Sequence, residues 1–488
     1  MLRYSNPYTS LKKYEESIVI PCSQTREISI PACSYNDSAI MFDGRFNNSE
    51  LIDREMFIEY EVTVKFTTPA QGNTPMNPIL DYSEFTLSQN PIHRVMKKCK
   101  INLNSSCVLE CDNSIIRNSL SHYEDMEYMT SSLEIPDVVN NIFGQSRAEA
   151  YDILNSNVPS ITDWKANNMI GDSHYRNSLY QRVEERHRGH YRPIEITIAN
   201  TNQVTLRYHI IERLWHPYLN DKKYSTLANI NNFTVNLEFN SLQPIFQAGI
   251  FVGTLANAYE YELPSNFSIS FNNYQPKLLT RIYVPTVKVN PIINVPYSNY
   301  NVLKYSNNVD VTVGNSSIIE TKNICLSSVP HKIYAFVAPT SSYSNFYSAD
   351  SYCSITNIKM VTQKDQSLFS QCSQYQLYQM GKRNGLNRNW EQFSNWTGSV
   401  LCLDLEKSDV SHYIAGSLEP FSFELSVNFT NTCYDSYHNG ARTGGLFAPT
   451  RWSLYLVIEN KGKLILSNVC SMEYGLSQSY IANTFGKS

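Results

Sequence analysis

The segment 57–66, FIEYEVTVKF, alternates without a break, with Ile58, Tyr60, Val62, Val64 and Phe66 on one side and Glu59, Glu61, Thr63 and Lys65 on the other. A period of two sustained over this length fits an extended strand with one face in a core, because a helix would scatter the same residues around its axis. Such a strand is half-buried and antiparallel, and it requires a second layer to cover its apolar face. Strand patterns recur at 17–21, 27–31, 192–198, 203–210 and 232–239, and then at 278–284, 309–313, 317–324, 331–337, 355–361, 400–405, 421–428, 452–457 and 464–469. A chain of 488 residues is long for one core, which favours two domains. With 42% hydrophobic and 17% charged residues it reads as folded rather than disordered.

The stretch 351–405 breaks the strand-only pattern. A strand at 354–361 leads through a turn at 363–366 to a helix expected from Ser367, lined by Leu368, Phe369, Cys372, Tyr375, Gln376, Tyr378 and Gln379 and ending near Gly381. Gly385 and an aromatic-rich loop at 387–398 then precede 399–405, apolar enough on both faces to be a buried strand. A weaker version of this order lies at 95–109 and 112–131. There Cys99-Lys100-Ile101-Asn102-Leu103 stands against Asn357-Ile358-Lys359-Met360, and Ile115, Ile116, Leu120, Tyr123 and Met126 against Leu368, Phe369, Cys372, Tyr375 and Tyr378. The offset of about 250 to 260 residues, half the chain, is what a duplicated domain gives. Residues 132–191 carry little strand or helix pattern and read as a loop insertion. The hand-over between halves is expected at 240–271.

These motifs resemble the double jelly-roll major capsid proteins of the adenovirus-like and Polinton-like double-stranded DNA virus lineage, which includes virophages and adintoviruses. The residues that carry the resemblance are 329–339 (VPHKIYAFVAP), 355–361, 367–380, Asn384-Gly385, Trp390 and 398–405, with Leu214-Trp215-His216-Pro217-Tyr218-Leu219 and 227–239 in the first half. The resemblance implies an all-β fold of two tandem eight-stranded jelly-roll sandwiches with short helices and long loop insertions. Residues 1–245 would form the first jelly roll with an N-terminal arm, and 246–488 the second. It also implies a structural role without catalysis: a homotrimer of pseudo-hexagonal outline that tiles an icosahedral virion shell beside penton and minor capsid proteins, after synthesis in the host cytoplasm. Segments 132–191, 340–351 and 431–450 are then candidates for tower loops or clamps.

The residues bear on other readings too. The 34 Tyr, against 21 Phe and 5 Trp, suit a lectin-like or fibre-type recognition module that stacks sugars on loop aromatics. The start of the chain lacks the apolar core of a secretory signal, and the eleven cysteines, an odd number, fit reduced thiols better than a disulfide framework, so the expected route is cytosolic and the chain soluble. An enzyme of cupin type would need a constellation of His and carboxylates around a metal. Cys107-x3-Cys111 with His122 lacks a fourth ligand and reads as thiols of the core or an interface. His187-Arg188-Gly189-His190 reads as a solvated loop, with an ion or anion contact as the alternative, and Asp404 and Glu406 as residues that cap or solvate a strand end. No nucleophile elbow, phosphate loop or HExxH pattern is present, and no catalytic, cofactor or metal residue is assigned. The net charge of −4 argues against a polyanion binder. The densest cationic patch, Arg94, Lys97, Lys98 and Lys100, is explained equally well by a solvated strand edge, so sequence-specific nucleic-acid binding is not expected.

Overall fold

The computed structural model describes most of residues 22–67, 85–123, 194–248, 265–340, 352–432 and 451–474. In the first half the strands are β1 (Cys22–Asn36), β2 (Ala39–Arg45), β3 (Leu51–Asp53), β4 (Phe57–Thr67), β5 (Phe85–Leu87), β6 (Met96–Leu103), β7 (Cys107–Cys111), β8 (Glu195–Ala199), β9 (Gln203–Arg213), β10 (Thr226–Leu227), β11 (Asn232–Phe239), β12 (Phe246–Ala248), β13 (Ser265–Ser270) and β14 (Lys277–Pro285). Two short helices, α1 (Pro91–Val95) and α2 (Asn113–Leu120), flank the β6–β7 hairpin.

Alternation places these strands as expected. Ile58, Tyr60, Val62, Val64 and Phe66 of β4 face the core at 0–2% exposure, and β4 pairs along its whole length with β9, whose Val204, Leu206, Tyr208 and Ile210 are buried beside them. One long strand then joins two layers. The first part of β1 pairs with β14, from Cys22↔Pro285 to Pro31↔Lys277, and the last part pairs with β2 after a register shift between Ala32 and Ser34. A bulge bends the strand at this point, and Pro31, which lacks an N–H, is the last residue paired with β14 before it. The layer β8-β9-β4-β14-β1 thus folds over onto β1-β2-β11-β6-β7, and both line a single core that includes Phe42, Ile58, Tyr60, Ile101, Phe233 and Leu237.

The first sheet system runs further than 245. Strand β13 pairs with β4, and β14 pairs with β1, β3 and β4, so the change of sheet falls after Pro285 and not at 245/246. The hand-over expected at 240–271 contains β12 and β13, and local pattern does not reveal which sheet receives the strands that follow. That choice is made by partners about 250 residues away, such as Ser29 opposite Leu279.

The second half contains β15 (Ile293–Ser306), β16 (Ser316–Glu320), β17 (Ile324–Leu326), β18 (Lys332–Pro339), β19 (Ser354–Thr362), α3 (Gln374–Arg383), β20 (Val400–Asp404), β21 (Phe421–Thr430), β22 (Trp452–Leu466) and β23 (Ser471–Tyr474). One sheet has the order β15-β22-β18-β20, with β23 added to β22, and the other is built around β21, with β16 and β17 on one side and β19 on the other. Ile333, Ala335, Val337, Leu401, Leu403, Leu454 and Leu456 from the first sheet meet Ile355, Ile358, Met360 and the five phenylalanine, leucine and valine positions of β21 from the second. This is the second sandwich.

Several local expectations change. The helix expected from Ser367 begins at Gln374, because Leu368 bridges Met360 and the Asn357 side-chain amide donates to the carbonyls of Ser370 and Cys372, which holds 367–372 as a turn. Ser373 then caps α3 in a reciprocal pair with Gln376. The helix ends at Arg383, two residues beyond the expected stop at Gly381. The strands expected at 452–457 and 464–469 are one strand, β22, and no strand forms at 309–312. Strand β15 was not anticipated at all. Of the helix expected at 112–131, α2 and the turn through Tyr123 are described. The patterns at 17–21 and 132–191, most of 340–351 and 431–450, His187, His190 and Glu406 lie outside the described residues.

Candidate functional site

In the sheet β15-β22-β18-β20 the strands β18, β20 and the first part of β22 are buried on both faces, and the outer face forms a joint with the first sandwich. Along β18, Ile333, Ala335 and Val337 point into the second core, while Tyr334, Phe336 and Ala338 point the other way. That second face continues through Val400 and Cys402 of β20 and Tyr455 and Val457 of β22, and it meets Ile116 and Leu120 of α2 together with Trp215. Two-sided burial is the physical reason that 399–405 reads as apolar on both faces.

The joint is specific as well as apolar. The Phe336 ring lies 4.8 Å from Tyr352 and stacks on Tyr455 at 5.4 Å. The Tyr123 hydroxyl donates to the Val400 carbonyl at 2.8 Å, and the Asn387 N–H donates to the His122 carbonyl at 2.7 Å. Burial pushes the Cys402 thiol up to about 12 and the Tyr455 hydroxyl up to about 12, so both stay neutral in the joint.

A second connection comes from the long antiparallel β15–β22 strand pair, whose strands pair from Ser306↔Ser453 to Ile293↔Leu466. Its far end carries Tyr297, Leu464 and Leu466 into the core of the first sandwich, where Tyr297 meets Tyr218 edge-on at 6.2 Å. The polar stretch Glu459-Asn460-Lys461 lies between the two cores, where ladder bonds to β15 keep the backbone satisfied. Buried Glu459 accepts from Tyr334 and Ser298 at 3.3 and 3.2 Å.

Behind Trp215 lies a buried polar group. The Trp215 N–H donates to His93 Nε2 at 3.0 Å, and the Arg117 guanidinium lies 5.8 Å from the Trp215 ring centre. Glu212 accepts from the Tyr60 hydroxyl at 3.3 Å and from the Ile92 N–H at 3.1 Å. Burial raises the Glu212 carboxyl to about 8 and lowers His93 to about 3. Both shifts favour the neutral forms, so their 3.9 Å approach is a neutral contact at pH 7 and not an ion pair.

The sign of the pH dependence follows. A carboxyl whose folded-state value lies above its ordinary 4.5 contributes stability that is complete below 4.5 and is lost as pH rises through about 8. Glu212→Gln is therefore expected to match the wild type at pH 4.5 and to exceed it increasingly up to pH 8. The wild type gives up to ~1.4 kcal/mol per pH unit across that window. Urea midpoints of both proteins at several pH values measure the effect, and a variant weaker than wild type at pH 8 would show an ionised, paired Glu212.

The residues singled out in the sequence are dispersed. His122 is buried in the joint, while the side chains of Cys107 and Cys111 lie outside the described set; among the described residues no three of His, Cys, Asp and Glu gather as a metal site. Asp404 is buried opposite Lys332. The cationic segment 93–100 is not an open basic surface: His93 and Arg94 are buried, Lys98 pairs with Glu110, and Lys100 pairs with Glu238 at 2.6 Å. The joint itself had one sequence signal, the two-sided apolarity of 399–405; Trp215 and α2, which supply its other side, had none that linked them to it.

Residues 297–402 match the family model described as the major capsid protein V20 C-terminal domain, a stretch that begins in β15, ends in β20 and contains most of the joint-facing sheet. A capsid protein of Sputnik virophage, V20, is 23% identical over a region spanning 42% of this chain and 37% of that relative, little more than a third of its length. A chain in the cryo-EM structure of the Sputnik virophage superposes with a TM-score of 0.73 and 19% identity, covering 99% of this chain and 94% of the other. The crystal structure of the mavirus major capsid protein gives 0.67 and 14%, covering 97% and 94%. The chain therefore shares the fold of these two virophage capsid structures, and a stretch of its second half is similar to the V20 C-terminal domain.

Proposed function

We propose that this chain is the major building block of a virion shell, assembling with copies of itself as trimers in which six sandwiches stand side by side. The observation that carries the reading is the joint. Two sandwiches joined by doubly buried strands and a shared strand pair form one unit, and threefold repetition of such a unit gives a near-hexagonal tile. The first unit would run through Pro285 and the second from Ile293, with the far end of the β15–β22 pair seated in the core of the first. The role is structural, as it is for the V20 capsid relative. Outward faces suit wet flank contacts: on β4 and β9, Arg207 bridges Glu61 and Glu195, and His209 lies between Glu59 and Glu61. Penton and minor proteins as neighbours, and synthesis in the host cytoplasm, belong to the same proposal. Light scattering on the purified chain, followed by negative-stain imaging, is expected to give a trimer of hexagonal outline or closed shells. A monomer that stays monomeric at high concentration would remove this reading.

A further inference from the structure

We infer that the joint between the sandwiches is a latch released by acid, with His122 as the group that releases it. His122 belongs to the first sandwich, one turn beyond α2, yet its main-chain carbonyl is held by Asn387 of the second at 2.7 Å, and its ring lies 5.5 Å from the Tyr352 ring of the second. The ring is buried, at 4% exposure, and its Nδ1 is buried with no hydrogen-bond partner among the described residues. The groups facing it are Tyr352 and, next to Asn387, the buried guanidinium of Arg388. On its own side the nearest cation in sequence is Arg117, which is turned to Trp215, and Tyr123 is committed to the Val400 carbonyl. No ion pair joins His122 to a carboxylate among the described residues; Glu124 and Asp125, next in sequence, lie outside them.

A neutral imidazole fits this place, since an unpaired ring nitrogen is tolerable when the ring is uncharged. An imidazolium does not fit, because it would put a second cation beside Arg388 with no acceptor for Nδ1–H. Burial first, and Arg388 second, hold the ring well below its ordinary 6.5 while the joint is closed. Opening the joint wets the ring and restores that ordinary value, so protons bind the open form better and shift the population toward it. With one proton taken up per opening, the open-to-closed ratio rises up to about tenfold for each pH unit below the ordinary value. Opening is a hinge and not a separation, because the β15–β22 strand pair still anchors Tyr297, Leu464 and Leu466 in the first core.

Amide hydrogen exchange followed by mass spectrometry on the full chain, at pH 7.5 and 4.5 and corrected for intrinsic rates, tests this. The expected result is a gain of up to ~100-fold in opening at pH 4.5 for peptides covering α2, 384–388 and 400–402, with strands β4, β9, β19 and β21 still protected. His122→Phe keeps the ring contact with Tyr352 and removes the proton site, and it should abolish the gain. Should that variant fold poorly, Arg388→Met removes the facing charge and should reduce the gain. Equal loss of protection in the joint and both cores, or an undiminished gain in either variant, would overturn the inference.

Discussion

Gly398→Ala is expected to remove more than about 4 kcal/mol of stability, enough to leave little folded second sandwich. Gly398 has φ +74°, and a Cβ there would lie 2.0 Å from the Tyr352 carbonyl oxygen and 2.4 Å from its carbon. Both obstacles are backbone, so no side chain can swing aside. The site cannot drift either. Ser399 donates to the Cys353 carbonyl from its N–H at 3.0 Å, while its hydroxyl accepts from the Ile355 N–H at 3.0 Å and donates to the Phe393 carbonyl at 2.9 Å. Gly398 thereby lets β20 leave the preceding turn and start directly beside the residues that begin β19. Gly385 provides the control: its φ is +100°, but a Cβ there meets nothing within 4 Å. Gly385→Ala should cost only the backbone strain, roughly 1–2 kcal/mol. Urea midpoints of the two variants separate steric overlap from strain, and equal losses would contradict the close approach of Gly398 to Tyr352.

Phe336→Ala is expected to cost about 3–5 kcal/mol, the usual range for a fully buried phenylalanine, and to uncouple the two sandwiches. Its ring belongs to the joint and not to either core, stacked on Tyr455 and against Tyr352. Truncation leaves a cavity between bodies that each keep their own core, so calorimetry should resolve two transitions where the wild type shows one. Phe423→Ala, in the second core, should cost a similar amount and act on that sandwich alone. A small loss with a single transition for Phe336→Ala would mean that the joint contributes little to cooperativity.

The misreadings of the sequence have a common origin. Strand β15, NVPYSNYNVLKYS after its first residue, has no clean alternation and contains Pro296, because its two ends serve different cores and its middle serves neither. Strand β22 was divided for the same reason: the polar residues 459–463 look like a break, yet they pair residue by residue with β15 across the gap between cores. The helix after Ser367 was drawn too long because its apolar spacing is genuine, while the bonds from Asn357 that stop it come from a strand ten or more residues earlier.

What the sequence determined by itself is local. Alternation in β4 and two-sided apolarity in β20 specify strands and burial, because each depends on neighbours within a few residues. Only the tertiary structure decided that β14 closes the first sandwich, that α2 and Trp215 cover the back of the second, and that the β15–β22 strand pair enters both cores. Those choices rest on contacts between residues some 100 to 370 positions apart, such as Tyr123 with Val400 and Asn104 with Cys470, and the free energy of such contacts depends on shape and burial that no local pattern encodes.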